Sequence, residues 1–391
     1  MTKSIIKPAF QSLPPSKTLA LNARAQALKA AGKDIINLTV GEPDFPTPAF
    51  VKEAAIRAIH DDLTRYTAVG GTPALKKAIC HKFSRDNQLH FKPESVMAAT
   101  GCKQILFNAL MATLSEDDEV LIPSPYWVSY PDMVNILGGK PVIMDCAEEQ
   151  GFILQPEVLE AHITPKTKWL ILNYPSNPAG VGYSKAQLMA LVEVLKRHPH
   201  VWVLADEIYE HITFPPNEFH SIAALDESLA PRVLTANGLS KSHAMTGWRI
   251  GFCGGDAELI KIMTNLQSQS TSNPCSITQA AAVAALEHDN LIVDTYRDVF
   301  KKRIEYIEGA LTNTKIKLFK PQGAFYLFAD VSAYMEDDNA FANALLEQAE
   351  IAVVPGSSFG VDGFVRLSCA ASEDVLETAM NRLIKFLDAL N

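Results

Sequence analysis

The sequence has no C-x-x-C pair and no cysteine–histidine cluster at metal-binding spacing. Its six cysteines (Cys80, Cys102, Cys146, Cys253, Cys275 and Cys369) are scattered over 391 residues. That dispersal argues against a zinc ribbon or a disulfide framework and predicts reduced thiols, most of them small core hydrophobes. No run of about 18 uncharged apolar residues occurs, and the opening MTKSIIKPAFQSLPPSK lacks the apolar segment of a secretory signal. A cytoplasmic protein without a membrane partner is expected. Positive charge is in deficit: 35 lysines and arginines face 44 acidic residues, a net charge of −9. A nucleic acid would need a basic face, so none is expected as a partner. No internal repeat or low-complexity tract stands out. No G-x-G-x-x-G follows the first strand, which argues against a dinucleotide-binding oxidoreductase.

What is present is ample material for a large core: 48% of residues are hydrophobic and 20% charged. The length exceeds that at which single cores usually stop growing, so two domains are expected. Short β-branched runs alternate with longer helical patterns. SVMAAT (Ser95–Thr100), EVLIP (Glu119–Pro123), KWLILN (Lys168–Asn173), VWVLAD (Val201–Asp206) and RVLTAN (Arg232–Asn237) read as buried strands. Between the third and fourth lies SKAQLMALVEVLKRH, with Ser184 as N-cap and basic residues at its end. This is the pattern of an α/β fold, a mostly parallel central sheet flanked by helices. The flanks differ. One helical segment, TLALNARAQALKAAG, lies in the first 45 residues, and GAFYLFADV and GFVRLSCA near the end read as antiparallel α+β structure. The expected division is a large domain over 46–290 and a smaller one from 1–45 and 291–391.

Ligands of such sheets bind at the carboxyl ends of the strands. There the sequence puts Thr100-Gly101-Cys102-Lys103 opening a helix, whose free N–H groups suit an anion. Asp206 ends an apolar strand, where a carboxylate needs a cation or a strong donor. Asn173 and Asn177 lie just past another strand end. Lys241 follows a fourth in NGLSKSHAMTGWRIGF, and Arg249 lies eight residues on. Arg249 and Arg366 both sit in apolar, strand-like runs, where a guanidinium needs an anion. An amine, a carboxylate, a phosphate-binding helix start with an arginine, and an aromatic face together suit pyridoxal phosphate.

On these residues, and on VGEPDFPTP (Val40–Pro48), YTAVGGTPALKKAI (Tyr66–Ile79), PYWVSYP (Pro125–Pro131), NYPSNPAG (Asn173–Gly180), ADEIYEHI (Ala205–Ile212) and VRLS (Val365–Ser368), the chain resembles the class I aminotransferases of fold type I. It is most similar to bacterial aspartate aminotransferases with a P-S-x-T element, here Pro15-Ser16-Lys17-Thr18. The resemblance implies a pyridoxal-phosphate transaminase acting on aspartate or glutamate and a 2-oxo acid by a ping-pong route. It makes Lys241 the Schiff-base lysine and proton carrier. Asp206 would hold the pyridinium N–H, and Tyr209 and Asn177 the ring oxygen. Gly101, Cys102, Lys103, Ser240 and Arg249 would hold the phosphate, with Tyr66 reaching it from the other subunit of a homodimer. Trp127 would stack on the ring, Arg366 would fork the substrate α-carboxylate, and Gly41 would approach the substrate. Gln267–Gln279 contains no arginine or lysine to grip a distal carboxylate; the resemblance implies that Lys103, helped by Ser16, would take that place. Prephenate or aromatic specificity, or a lyase reaction on the same cofactor, are the alternatives.

Overall fold

The computed structural model describes residue 5 and residues 17–390, so the expectation at Ser16 lies outside the described residues. The chain enters through helix α1 (Lys17–Ala30), a two-residue strand β1 (Ile36–Asn37), and helices α2 (Ala49–His60) and α3 (Pro73–Asn87). Seven strands and their connecting helices follow: β2 (Val96–Ala99), α4 (Cys102–Thr113), β3 (Glu119–Ser124), α5 (Ser129–Ile136), β4 (Lys140–Asp145), α6 (Pro156–His162), β5 (Thr167–Asn173), α7 (Lys185–Arg197), β6 (Trp202–Asp206), β7 (Val233–Gly238) and β8 (Gly251–Gly254). Two further helices, α8 (Ala257–Ser268) and α9 (Ser276–Glu287), close this part.

The seven strands form one sheet in the order β2-β8-β7-β6-β5-β3-β4. All neighbours run parallel except β8, which is antiparallel to both β2 and β7. Strands β2, β6 and β7 are apolar on both faces because helices cover both sides; every residue of β2 and β7 is buried. Helix α7 begins where the sequence predicts. Ser184 accepts from the Gln187 N–H, and the Gln187 side chain accepts from the Ser184 N–H, a reciprocal cap.

The remainder comprises α10 (Leu291–Leu311), β9 (Lys317–Phe319), β10 (Tyr326–Asp330), α11 (Asp338–Gln348), β11 (Ile351–Ala352), β12 (Val354–Pro355), β13 (Phe364–Ser368) and α12 (Glu373–Leu390). Strands β12-β13-β10-β9 make an antiparallel sheet. Strand β1 pairs in parallel with β11, and Arg24 of α1 reaches Glu347 and Asn343 of α11. The first described segment is thereby fastened to the last third of the chain. Among the described residues no helix is long and apolar enough to cross a membrane.

Candidate active site

The carboxyl ends of β2, β5, β6 and β7 face one cavity of about 420 Å³, within the range of small-molecule sites. The reversed strand β8 begins at the same edge: its first residue, Gly251, pairs with Ala99 at the end of β2 and with Gly238 at the end of β7. The cavity is lined by Lys241, Asp206, Tyr209, Asn177, Ser240, Arg249, Lys103, Cys102, Trp127, Gly41 and Arg366. Residues far apart in the sequence, from Gly41 to Arg366, thus meet in one cavity. Tyr66 is not among them. It stands 94% exposed beyond α2.

Lys241 follows β7 in a turn and donates from Nζ to the Gly41 carbonyl. Burial lowers its ammonium to about 8; the Arg366 and Arg249 guanidiniums push the same way, and Glu42 and Asp206 oppose. Gly41 is required there, since a Cβ would lie 2.6 Å from the Tyr326 hydroxyl. Asp206 is buried, with Tyr130 Oη donating to Oδ2 at 2.7 Å and Cys102 Sγ to Oδ1 at 3.6 Å. Burial raises its carboxyl despite these donors. Among the described residues no cationic side chain forms an ion pair with it, so it presents acceptor capacity to a ligand that brings its own proton. Asn173 pins the neighbouring loop by donating to the Asp206 carbonyl (2.9 Å) and accepting from the Asn177 N–H (3.0 Å).

At the start of α4 the cap residue Gly101 has φ 89° and no side chain to satisfy the helix. Its own N–H donates to the Ala99 carbonyl at 2.8 Å. The open donors are therefore the first-turn N–H groups of Cys102 and Lys103, and Gly101 supplies room instead of a hydrogen bond. A Cβ on Gly101 would meet Arg249 Nη2 at 2.5 Å. The sequence placed Arg249 inside an apolar strand, but β8 starts only at Gly251. Arg249 occupies a left-handed turn (φ 54°), with Nη1 on the Thr246 carbonyl (2.9 Å), and is exposed to the cavity. The guanidinium over a capless helix start is an anion cradle.

Arg366, by contrast, is fully buried on β13. Nη1 donates to Asn177 Oδ1 (2.9 Å) and Nη2 to the Thr39 carbonyl (2.6 Å), while Nε has no partner among the described residues. The guanidinium carbon lies 4.5 Å from the Tyr326 ring centre and 5.1 Å from that of Phe359. Among the described residues no carboxylate neutralises it, which leaves a buried cation lining the cavity. Tyr209 and Tyr326 share a hydrogen bond of 2.9 Å between their hydroxyls. Lys103 Nζ donates to Ser129 Oγ (3.2 Å) and lies 4.6 Å from the Trp127 ring centre; burial and then Arg249 lower its ammonium. Tyr130, Tyr326, Thr39, Asn22 and the Cys102 thiol carry no role in the sequence reading. Tyr130 was within reach, one helical turn beyond Trp127 in PYWVSYP, but a contact with Asp206 across 76 residues leaves no local signal.

The family described as aminotransferase class I and II matches residues 33–383. An aspartate/prephenate aminotransferase of Cereibacter sphaeroides is 49% identical over 388 residues, 96% of this chain and 97% of that one. The crystal structure of the aspartate aminotransferase from Rhizobium meliloti superposes with a TM-score of 0.96 at 46% identity, over 99% of each chain. That of the Thermus thermophilus aspartate aminotransferase with maleate does so with 0.95 at 41%, over 98% of this chain and all of the other.

Proposed function

The chain belongs to the class I and II aminotransferases, and on that premise we propose that it is a pyridoxal-phosphate enzyme moving an amino group between aspartate or glutamate and a 2-oxo acid. The observation that carries the reading is the convergence of an amine, an unpaired buried carboxylate, an anion cradle and a buried unpaired arginine on one cavity. The names of the relatives supply the substrates: aspartate in each, prephenate in one, and maleate, a four-carbon dicarboxylate, in one solved structure.

The donor set fits the cofactor. Arg249, Ser240 and the first-turn amides of Cys102 and Lys103 would hold the phosphate, and Gly101 leaves the space. Asp206 would accept from the ring nitrogen, Trp127 would cover a ring face, and Asn177 and Tyr209 would donate to the ring oxygen. When bound, pyridoxal phosphate supplies an aldehyde that condenses with amines and a ring that accepts the electrons left by proton removal. Lys241, with an ammonium already lowered to about 8, takes and returns the proton of the substrate α-carbon. Arg366 orients that carbon by pairing with the α-carboxylate, and Lys103 attracts the distal one. Asp206 keeps the ring nitrogen protonated through the buried pair. Residues 46–290 would form the cofactor-binding body, and residues 1–45 with 291–391 the part that closes on substrate and excludes water. Tyr66, exposed in the single chain, would complete the phosphate site of the partner in a homodimer.

Reconstitution tests the reading. Purified protein incubated with pyridoxal phosphate and dialysed should keep an imine absorption band, and a donor panel against 2-oxoglutarate and oxaloacetate should rank aspartate and glutamate first. Lys241→Ala should lose that band and turnover together. A protein that stays colourless, or that prefers neutral donors, would overturn the proposal.

A further inference from the structure

Among the polar residues that line the cavity, Asn22 on α1 has no role above. Its amide is oriented by a chain that begins at a donor of fixed identity. The Thr39 backbone N–H donates to Asn37 Oδ1 at 3.1 Å, and the Thr39 hydroxyl to the same oxygen at 2.6 Å. Asn37 Oδ1 is therefore the acceptor end of that amide, and Asn37 Nδ2 the donor. Asn37 Nδ2 donates to Asn22 Oδ1 at 2.6 Å. It follows that Asn22 has its oxygen engaged and its NH2 group left over, with no partner among the described residues. The chain also reaches the other way, because the Thr39 carbonyl accepts from Arg366 Nη2 at 2.6 Å.

We propose that Asn22 is a specificity-determining residue, donating from Nδ2 to the distal carboxylate of a four- or five-carbon dicarboxylic substrate. The inference rests on the proposed aminotransferase reading and names a contact of that site. A free amide NH2 on a residue lining the same cavity as Lys103 and Arg366 suits an acceptor, and the acceptor that aspartate and glutamate carry beyond the α-carboxylate is a second carboxylate. Apolar side chains offer Nδ2 nothing, and it would stay unpaired beside them. Asn22, Asn37, Thr39 and Arg366 are joined in one hydrogen-bonded run. Elements β1 and α1 are also fastened to β11 and α11. The contacts for both ends of the substrate on this side of the cavity are thus held in register, and Lys103 of α4 and Trp127, between β3 and α5, line the same cavity.

The test uses the holoenzyme and two variants. In Asn22→Asp the oxygen that accepts from Asn37 is kept and only the outward NH2 becomes an oxyanion; Asn22→Ala removes both. Succinate binding is measured by calorimetry beside propionate, and kcat/KM for aspartate beside alanine. The expected result is that Asn22→Ala weakens succinate about tenfold relative to propionate, the size of one hydrogen bond to a charged group. The aspartate-to-alanine ratio of kcat/KM should fall in parallel, and Asn22→Asp should lower both ratios further by repulsion. Equal losses for mono- and dicarboxylates would show a structural role and overturn the inference, as would unchanged ratios in both variants. If the unmodified protein itself fails to prefer dicarboxylates, the proposed function falls first, and that outcome is read before any variant is compared.

Discussion

At the scale of single residues, the most informative group is Lys241. An ordinary lysine is charged at neutral pH and a poor nucleophile. Here burial lowers the ammonium to about 8. Folding disfavours the charged form, so between about pH 8 and the usual lysine value the unfolded chain binds more protons than the folded one. Over that window stability contributed by this group rises with pH, and below it the penalty is present in full. The same shift sets reactivity. With cofactor-free protein, the rate of imine formation on added pyridoxal phosphate should climb through a midpoint near pH 8 and level off above it. A midpoint near 10 would mean that the amine is solvated and the buried geometry wrong. Much of this was legible from the chain. Lys241, Asp206, Asn177 and Arg366 could be picked out because a charge or amide at the end of an apolar run needs a partner. Arg249 was found for a mistaken reason: the strand β8 begins only at Gly251, and the guanidinium belongs to the left-handed turn before it. Asn22 and Tyr130 escaped because their partners, Asn37 and Asp206, are specified only by packing.

At the scale of elements, the segment after β6 shows how a strand end is made rigid enough to carry chemistry. In Asp206-Glu207-Ile208-Tyr209-Glu210, the first and fourth residues face the cavity and both glutamates are buried away from it. Lys82 of α3 pairs with Glu210 and donates to Asn87 Oδ1 (2.5 Å). Asn87 donates in turn to Glu210 (2.5 Å) and Glu207 (3.3 Å), and Ser221 donates to Glu207 at 2.7 Å. Burial and then Glu210 raise the Glu207 carboxyl to about 8, whereas Lys82 and His211 hold Glu210 well below the usual carboxylate range against the effect of burial. Lys82, with His211, thus serves a cluster of carboxylates behind the cavity. Lys82→Met should cost about 3 kcal/mol in denaturant unfolding, because it leaves the buried Glu210 with only His211 and Asn87 as partners. Lys82→Met with Glu210→Leu should recover a large part of that loss. A single variant within 1 kcal/mol of the parent would show the network to be solvated and without leverage on the turn. Strand positions were readable along the sequence because both-face burial leaves continuous apolar runs, and α7 because its cap is local. The pairing of β1 with β11 was not, since two residues matched across 315 positions carry no periodicity (Ile36 with Ile351).

At the scale of the whole molecule, one chain leaves the proposed site incomplete and leaves apolar surface uncovered. Ile56 and Ile59, three residues apart on α2 and so on one face, are each about half exposed, as is Leu63 just beyond it, and Tyr66 follows with 94% exposure. Large apolar side chains exposed this close together suit a contact surface. Tyr66, in the segment whose resemblance assigns it to the neighbouring subunit's phosphate, lies at its end. The proposed homodimer explains both features with one contact. Sedimentation should therefore give twice the 42.8 kDa chain mass. Ile56→Asp with Ile59→Asp should lower the mass to that of the single chain and weaken retention of pyridoxal phosphate with it. Tyr66→Phe should leave the dimer intact yet weaken the cofactor on the order of tenfold, the cost of one hydrogen bond to a charged group. The two variants separate assembly from site completion: the first acts through mass and affinity together, the second through affinity alone. Full cofactor affinity in a sedimenting monomer would sink the shared site, and would require the phosphate to be satisfied by Arg249, Ser240 and the α4 amides of the same chain.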